Sequence, residues 1–293
     1  MGACKFCGQD AGFLKNAHPA CQEKHASGCA KIEKLATACA TDQSDLFDAK
    51  KKIAAVAMGA FITPAILKSL LIHAWEQAVR LALCNSLVSQ AQEDRLVNYK
   101  NFFGLEQEDL DDHGVFTALI KAGILRELSE GKLPNRIMEA GNLPSNFQKD
   151  ETLVWLFKEV RYFEPLINTR NSSGNPAGYP GPGIDLPKGV YYPAGSFTGR
   201  PVGFLLNLWI DIGFLGISNK NLYFSGKSQS FRLEFSRIGL FSAYDDGIAI
   251  RQAAPNANPQ IFKTGDGWFT YNLLMSLAKN SSLVPPAPPA NYF

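Results

Sequence analysis

Hydrophobic and polar positions follow two different periods along this chain, and the change falls near Pro144. Between Asp42 and about Gly141 the apolar residues recur every three to four positions, which is typical of helices with one buried face. The clearest run comprises Ile66, Leu67, Leu70, Leu71, Trp75, Val79 and Leu83. This run is preceded by Thr63, whose hydroxyl can cap a helix, and by Pro64, which is favourable as the first helical residue. We therefore predict a compact bundle of short helices.

After Pro144 the period becomes two, which is typical of strands. Phe231, Leu233 and Phe235 alternate with three polar residues, and residues 218–221 have the composition of a hairpin turn. Further short strands are predicted at residues 152–157, 190–197, 248–250 and 260–262, and an amphipathic helix at 268–278. About seven strands followed by one helix is the order of a PH-like antiparallel β-barrel, with the helix covering its open end. The predicted fold class is α+β.

Several of these segments resemble a known pattern. Residues 213–226 (GFLGISNKNLYFSG) and 227–238 (KSQSFRLEFSRI) resemble a GRAM/PH-like domain, with a glycine-preceded strand, a TNK-type turn, an aromatic strand and a basic-apolar strand. Together with residues 189–201 and 265–274, they make the chain similar to an uncharacterised bacterial family that joins a zinc-binding segment, a helical part and a PH-like module. Ser218 stands where Thr is usual, and Pro193 where a basic residue is common. The resemblance implies a fold and no particular activity.

The patterns divide the chain into four parts. We predict a zinc-binding segment at residues 1–40, a helical domain at 41–143, a PH/GRAM-like domain at 144–280 and a Pro-rich tail at 281–293. Residues 168–187 are rich in Gly, Pro, Ser and Asn, and we predict a flexible loop there within the third part.

Composition indicates the class of protein and its cellular location, but it says little about function. The chain has 46% hydrophobic and 19% charged residues, as expected for a globular protein. The net charge of +2 gives no global electrostatic argument for nucleic acid. Residues 1–10 lack the apolar stretch of a secretory signal. Residues 53–67 are apolar but shorter than the ~20 residues of a membrane-spanning helix. We expect a cytoplasmic protein.

The strongest chemical signal is a cysteine–histidine motif near the N-terminus. Its spacing is C-x2-C-x10-H-x2-C, and its members are Cys4, Cys7, His18 and Cys21. Three thiolates and one imidazole form a tetrahedral set that suits structural zinc and leaves no open position for catalysis. His25 and Cys29 are alternative ligands. Because so short a segment cannot fold alone, we expect the metal to supply its folding free energy.

A second, weaker candidate is an anion site in the PH-like part. Its basic residues are Lys220, Lys227, Arg232 and Arg237. At the mouth of a barrel, such side chains would hold an anionic lipid headgroup, and each contributes on the order of 1 kcal/mol near an anionic surface. The opposing interpretation is that they are solvated residues on strand faces.

No motif for catalysis stands out. The sequence contains no G-x-S-x-G, Walker A or G-x-G-x-x-G element, and the acidic run at residues 106–112 reads as a solvated helix start rather than a calcium loop. Asp245 and Asp246 before Gly247 read as a hairpin turn. We predict a non-enzymatic adaptor with no catalytic residues, which binds a protein partner or an anionic membrane surface.

The alternative is a zinc-dependent nucleic-acid-binding protein. A reading finger needs a basic helix after its ligands, and Lys24, Lys31 and Lys34 follow the motif. Glu23, Glu33 and several alanines dilute them. We therefore rank this alternative second.

Overall fold

The computed structural model describes residues 2–12, 15–41, 44–84, 87–136, 147–148, 151–165, 184–185, 207–254 and 257–279. They belong to two compact units, Met1–Gly123 and Ile124–Phe293. The first unit holds residues of both predicted segments, 1–40 and 41–143. The predicted loop at 168–187 (apart from residues 184–185), the predicted strand at 190–197 and the tail at 281–293 lie outside the described residues.

Helices make up the first unit. They are α1 (Pro19–Thr41), α2 (Leu46–Gly59), α3 (Pro64–Leu83), α4 (Gln90–Phe103), α5 (Gln107–Leu110) and the start of α6 (Val115–Ser129). Side-chain caps begin three of them, because the carboxylate of Asp45 accepts from the Phe47 N–H and the hydroxyls of Thr63 and Ser89 cap α3 and α4. Such caps satisfy backbone N–H groups that have no partner inside the helix.

Two large side chains in the core of this unit have polar atoms, and both atoms form hydrogen bonds to backbone carbonyls. The indole Nε1 of Trp75 donates to the Leu96 carbonyl at 2.9 Å, and the Tyr99 hydroxyl donates to the Leu71 carbonyl at 3.2 Å. Both rings are fully buried, so these bonds remove the cost of burying their polar atoms. No described helix in the chain is long and apolar enough to cross a membrane.

The second unit is built on an antiparallel sheet. Its strands are β1 (Leu153–Pro165), β2 (Ile184–Asp185), β3 (Asn207–Ser218), β4 (Asn221–Gly226), β5 (Ser230–Glu234), β6 (Ile238–Tyr244), β7 (Gly247–Gln252) and β8 (Gln260–Lys263). The helix α7 (Gly267–Lys279) follows. The order across the sheet is β2-β6-β7-β8-β1-β3-β4-β5. The fold is therefore α+β, with helices first and the sheet after them.

The long strand β1 joins the two halves of the sheet. It pairs with β3 along most of its length and with β8 near its end. A register shift falls between Phe157 and Val160, where Glu159 has a left-handed φ of 56°. A bulge of this kind bends a strand and increases its twist.

The sheet is open, which corrects the prediction of a closed barrel. Among the described strands, no ladder joins β5 to β6 or to the two-residue β2. The physical reason lies in the sequence after β5, because the backbone turns into a 3-10 helix at Phe235–Arg237 and leaves the ladder there. The two edge strands of the sheet, β2 and β5, are short, which limits pairing with another chain.

Candidate functional site

The structure brings the four predicted metal ligands together. One donor atom each from Cys4, Cys7, His18 and Cys21 lies within 4.8 Å of all the others. The Nδ1 of His18 is 3.5 Å from the Cys7 Sγ and 3.7 Å from the Cys21 Sγ. Ligand atoms around tetrahedral zinc are separated by about 3.5–3.8 Å, given the usual Zn–S and Zn–N bond lengths. In the described part of the chain, this is the only such group with metal-binding geometry.

A tight knuckle positions the first two thiols. The Cys4 N–H donates to the Gln9 carbonyl at 2.7 Å, and the Gly8 N–H donates to the Cys4 carbonyl at 2.8 Å. Gly8 has a φ of 75°, a left-handed conformation that glycine adopts without steric cost. The chain therefore folds back directly after Cys7, so that both thiols face the same point.

The second pair of ligands stands at the start of α1. His18 directly precedes the helix and Cys21 lies in its first turn, where its N–H donates to the His18 carbonyl at 3.1 Å. The His18 Nε2 lies 2.8 Å from the Asp10 carbonyl oxygen, which can only accept. Nε2 therefore carries the hydrogen, and Nδ1 offers its lone pair to the cluster. Hydrogen bonds of this kind orient metal-binding histidines.

In the cluster without an ion, the pKa values of two of the thiols are shifted in opposite directions. Burial acts to raise the pKa of the Cys4 thiol, but backbone N–H groups, first that of Cys7, outweigh it and lower this pKa to about 6. Burial raises the pKa of the Cys21 thiol to about 11, and the neighbouring thiols add to the rise. A divalent cation would lower the pKa of every thiol in the cluster, because its charge stabilises all the thiolates at once.

The two alternative ligands have other contacts. The His25 Nδ1 lies 3.0 Å from the Ala60 carbonyl, and its Nε2 lies 3.8 Å from the Cys29 Sγ. The His25 ring also packs on Phe6, with 4.7 Å between ring centroids. His25 thus connects the knuckle to the end of α2, and both His25 and Cys29 stay outside the four-residue group.

The predicted anion site is only partly assembled. Lys220 and Arg232 line one cleft of about 400 Å³. The other lining residues are Gln148, Asn221, Glu234, Phe235, Ser236 and Ala278. Lys220 lies in the turn between β3 and β4, and Arg232 lies on β5. Two of the four predicted basic residues therefore share a surface.

The remaining two basic residues do not line the cleft, but Arg237 lies at its edge, beside the lining residue Glu234, and only Lys227 is distant. The Arg237 Nε lies 3.4 Å from Glu234, whose carboxylate is also 3.6 Å from Arg232. Lys227 belongs to the turn at the opposite end of the β4–β5 hairpin. Four ladder steps separate the two ends, or roughly 13 Å. A single headgroup site made of all four residues is not what the described geometry provides.

One buried polar network behind the cleft had no sequence signal. The amide of Asn221 donates to the Glu151 carboxylate, and the Tyr223 hydroxyl donates to the same group at 2.9 Å. Burial raises the pKa of Tyr223, and the nearby carboxylate adds to it. Seventy residues separate Glu151 from Asn221, so only the fold brings them together.

Comparison of the chain with protein-family models, with curated proteins and with solved structures gave no match. The likeness to a family with a zinc-binding segment and a GRAM/PH-like module therefore stays a prediction from the residues.

Proposed function

We propose that this chain is a non-enzymatic binding protein. One structural zinc ion stabilises its N-terminal unit, and a PH-like C-terminal unit binds a protein partner or an anionic membrane surface. The observation that carries the proposal is the convergence of Cys4, Cys7, His18 and Cys21 within 4.8 Å. Thiolates with one imidazole favour zinc over magnesium or calcium, which prefer oxygen ligands. Four protein ligands fill a tetrahedral ion and leave no position for substrate, which favours a structural role.

The order of the strands supports the PH-like part of the proposal. Apart from β2, the strands form two consecutive runs, β1-β3-β4-β5 and β6-β7-β8, which meet where β8 pairs with β1. The helix α7 follows the last strand and buries most of its residues. Seven strands with one C-terminal amphipathic helix is the arrangement expected from the resemblance of residues 213–238.

Metal content tests the zinc site directly. We expect one zinc per chain in protein purified without added metal, and loss of that zinc in Cys7→Ser. The matched control is Cys84→Ser, since Cys84 is an exposed free cysteine outside the group. Elemental analysis of the three proteins gives the answer. Wild-type protein without bound metal, or equal zinc in wild type and Cys7→Ser, would contradict the proposal.

Vesicle co-sedimentation tests the binding role. Binding to anionic but not neutral vesicles, weakened by Lys220→Glu with Arg232→Glu, would identify the cleft as a headgroup site. If the wild type binds no vesicle at any salt concentration, the membrane surface is removed from the proposal and a protein partner remains. Salt-sensitive retention on DNA or RNA, lost when Lys24, Lys31 and Lys34 are changed to Glu, would instead favour the nucleic-acid alternative.

A further inference from the structure

The outer side of α2 exposes two large apolar side chains. Phe47 is 69% exposed and Met58 is 84% exposed, although both are residues that usually lie inside a protein. They are eleven positions apart, so they lie about 20° apart around the helix and share one stripe. The opposite side of α2 is packed, because Ala49, Ile53 and Ala57 are buried.

Lysines lie on this stripe and beside it. Lys51 lies on the stripe between Phe47 and Met58, and the Lys50 Nζ lies over the ring of Phe102 at 5.1 Å. Lys52 forms an ion pair with Asp48 at 2.7 Å, so that pair cancels its own charge. The helix α2 contains three lysines and one carboxylate, that of Asp48, so Lys50 and Lys51 remain after the Lys52–Asp48 pair is set aside. The surface is therefore basic as well as apolar.

We infer that this outer face of α2 docks onto an anionic lipid surface. The outer face is defined by Phe47, Lys50, Lys51, Ala54 and Met58, all of which are exposed. The inference rests on the membrane-binding form of the proposed function, and it adds a contact on the first unit to the one proposed for the second. Interfacial helices combine these features, with lysines at the headgroups and apolar side chains in the acyl boundary.

The size and shape of the outer face favour lipid over a protein partner. The stripe measures about 16 Å by 10 Å from helix dimensions. A stable protein interface buries about 800 Å² on each partner, several times this area. The face is a convex helix and not a groove, so a protein partner would need a groove of matching shape to bury it. A fluid bilayer conforms to a convex face and offers both negative charge and hydrocarbon.

The contact is expected to be weak and dependent on salt. Lys50 and Lys51 near an anionic surface each strengthen binding about fivefold, and the apolar residues add a contribution from buried area. Stable anchoring generally takes two signals. The outer face of α2 thus acts as one of the two, and a second contact elsewhere on the chain strengthens attachment.

The test is co-sedimentation of the full chain with phosphatidylcholine vesicles, with and without phosphatidylserine. We expect binding only with phosphatidylserine. Lys50→Glu with Lys51→Glu should lower the partition coefficient by at least about 30-fold, and Met58→Ser by about fivefold. The matched control is Lys15→Glu with Lys279→Glu, which changes the net charge equally at two exposed lysines outside the α2 face and the cleft, and should have a smaller effect. Lys220→Glu with Lys227→Glu tests the contribution of the second unit. Circular dichroism and thermal melts check that each variant folds.

Each other outcome separates this inference from the proposed function. Normal binding by the α2 variants with loss in the Lys220/Lys227 variant would overturn the inference and place the membrane contact in the second unit. A wild type that ignores both kinds of vesicle would overturn it and leave a protein partner. Wild-type binding to DNA that depends on Lys50 and Lys51, with unchanged binding in Met58→Ser, would assign the face to nucleic acid.

Discussion

Residues 2–21 and the C-terminal sheet differ in what holds them together. Around the cysteines the buried apolar residues are Cys4, Ala11 and Ala17, which are small. The sheet buries large aromatic rings in contact with one another, among them Tyr162, Phe224 and Phe262, and the half-buried ring of Phe231 packs on all three. Buried apolar area supplies most of the stabilisation of a fold. Residues 2–21 bury little of it, whereas the sheet buries a large amount.

The comparison teaches where each region is vulnerable. A segment with a few buried methyl groups depends on bonds to an ion, and it fails when one ligand or the ion is removed. A sheet with interlocking rings depends on packing, and it fails when a ring is truncated. Metal removal and core truncation should therefore act on different parts of this chain.

The largest expected effect is local unfolding after zinc removal. Structural zinc contributes about 10–16 kcal/mol in small zinc-binding peptides, far more than three small side chains can supply. After chelation, the amides of Cys4, Gly8 and Ala11 should lose their protection from hydrogen exchange, while the amides of the sheet keep theirs. The measurement is hydrogen exchange by mass spectrometry, with and without chelator. Equal protection in both samples would show that the segment has another source of stability.

The next effect comes from the aromatic core. Phe262→Ala removes a fully buried ring that lies 5.3 Å from Tyr162 and 5.9 Å from Phe224, and should lower the free energy of unfolding of the second unit by about 3–5 kcal/mol. The variant should still bind zinc. Denaturant titration followed by near-ultraviolet circular dichroism measures the change.

The control for this variant is Phe47→Ala, which removes the same atoms from a largely exposed ring. We expect a change of about 0.5 kcal/mol there, as for other surface positions. If Phe262→Ala released zinc as well, the two regions would depend on one another and the contrast between them would fail.

A smaller effect is expected at Asp211, which fixes the β4–β5 turn. Its Oδ2 accepts from the N–H groups of Ser228 at 2.7 Å and Gln229 at 2.9 Å. Burial acts to raise the pKa of Asp211, but these bonds outweigh it and lower the pKa below 3.8. The carboxylate therefore stabilises the fold above pH 3.8 and loses this effect as the pH falls through its folded value.

Asp211→Asn should cost about 1.5–3 kcal/mol at neutral pH, the range for hydrogen bonds to charged groups. The difference between variant and wild type should shrink in acid. Melting temperatures at pH 7 and pH 3 test this, and zinc content is compared at pH 7, because acid protonates the thiolates and releases the metal. A constant difference across this range would mean that the charge of Asp211 plays no part.

The sequence predicted those parts of the fold in which local pattern and burial agree. Alternation around Phe231 and Leu233 predicted β5, and the polar residues at 218–221 predicted the β3–β4 turn. The spacing of four donors predicted a cluster that the structure brings together. In each case neighbouring residues carry the information, so no knowledge of the rest of the chain is needed.

The sequence did not predict features that depend on distant contacts. The helix α1 was missed because its contact residues are small and its pattern is weak; Gly28, for example, packs so closely on Ala60 that an added Cβ would lie 2.2 Å from the Ala60 Cβ. Closure of the barrel was expected, but the turn at Phe235 ends β5 early. The grouping of Lys220 with Arg232, apart from Lys227, follows from strand register alone.

The smallest effect concerns the helices of the first unit, where packing is supplemented by a polar pair. The His113 Nδ1 lies 3.0 Å from the Oε1 of Glu76, a buried residue. This hydrogen bond and the negative charge of Glu76 raise the pKa of His113 above 6.5. The pair therefore stabilises the fold fully below pH 6.5, and the effect is lost as the pH rises through the folded pKa.

His113→Gln should remove this pH dependence without affecting the zinc site or the sheet. Wild-type melting temperature should fall, relative to the variant, as the pH is raised from 6 to 8. Glu76→Gln serves as the matched control, because it removes the same charge interaction from the other side. Since His113 is largely exposed, solvent screens the pair and the shift should be small. Parallel curves for all three proteins would show that the charge pair of His113 and Glu76 contributes nothing measurable and that packing holds this part of the first unit.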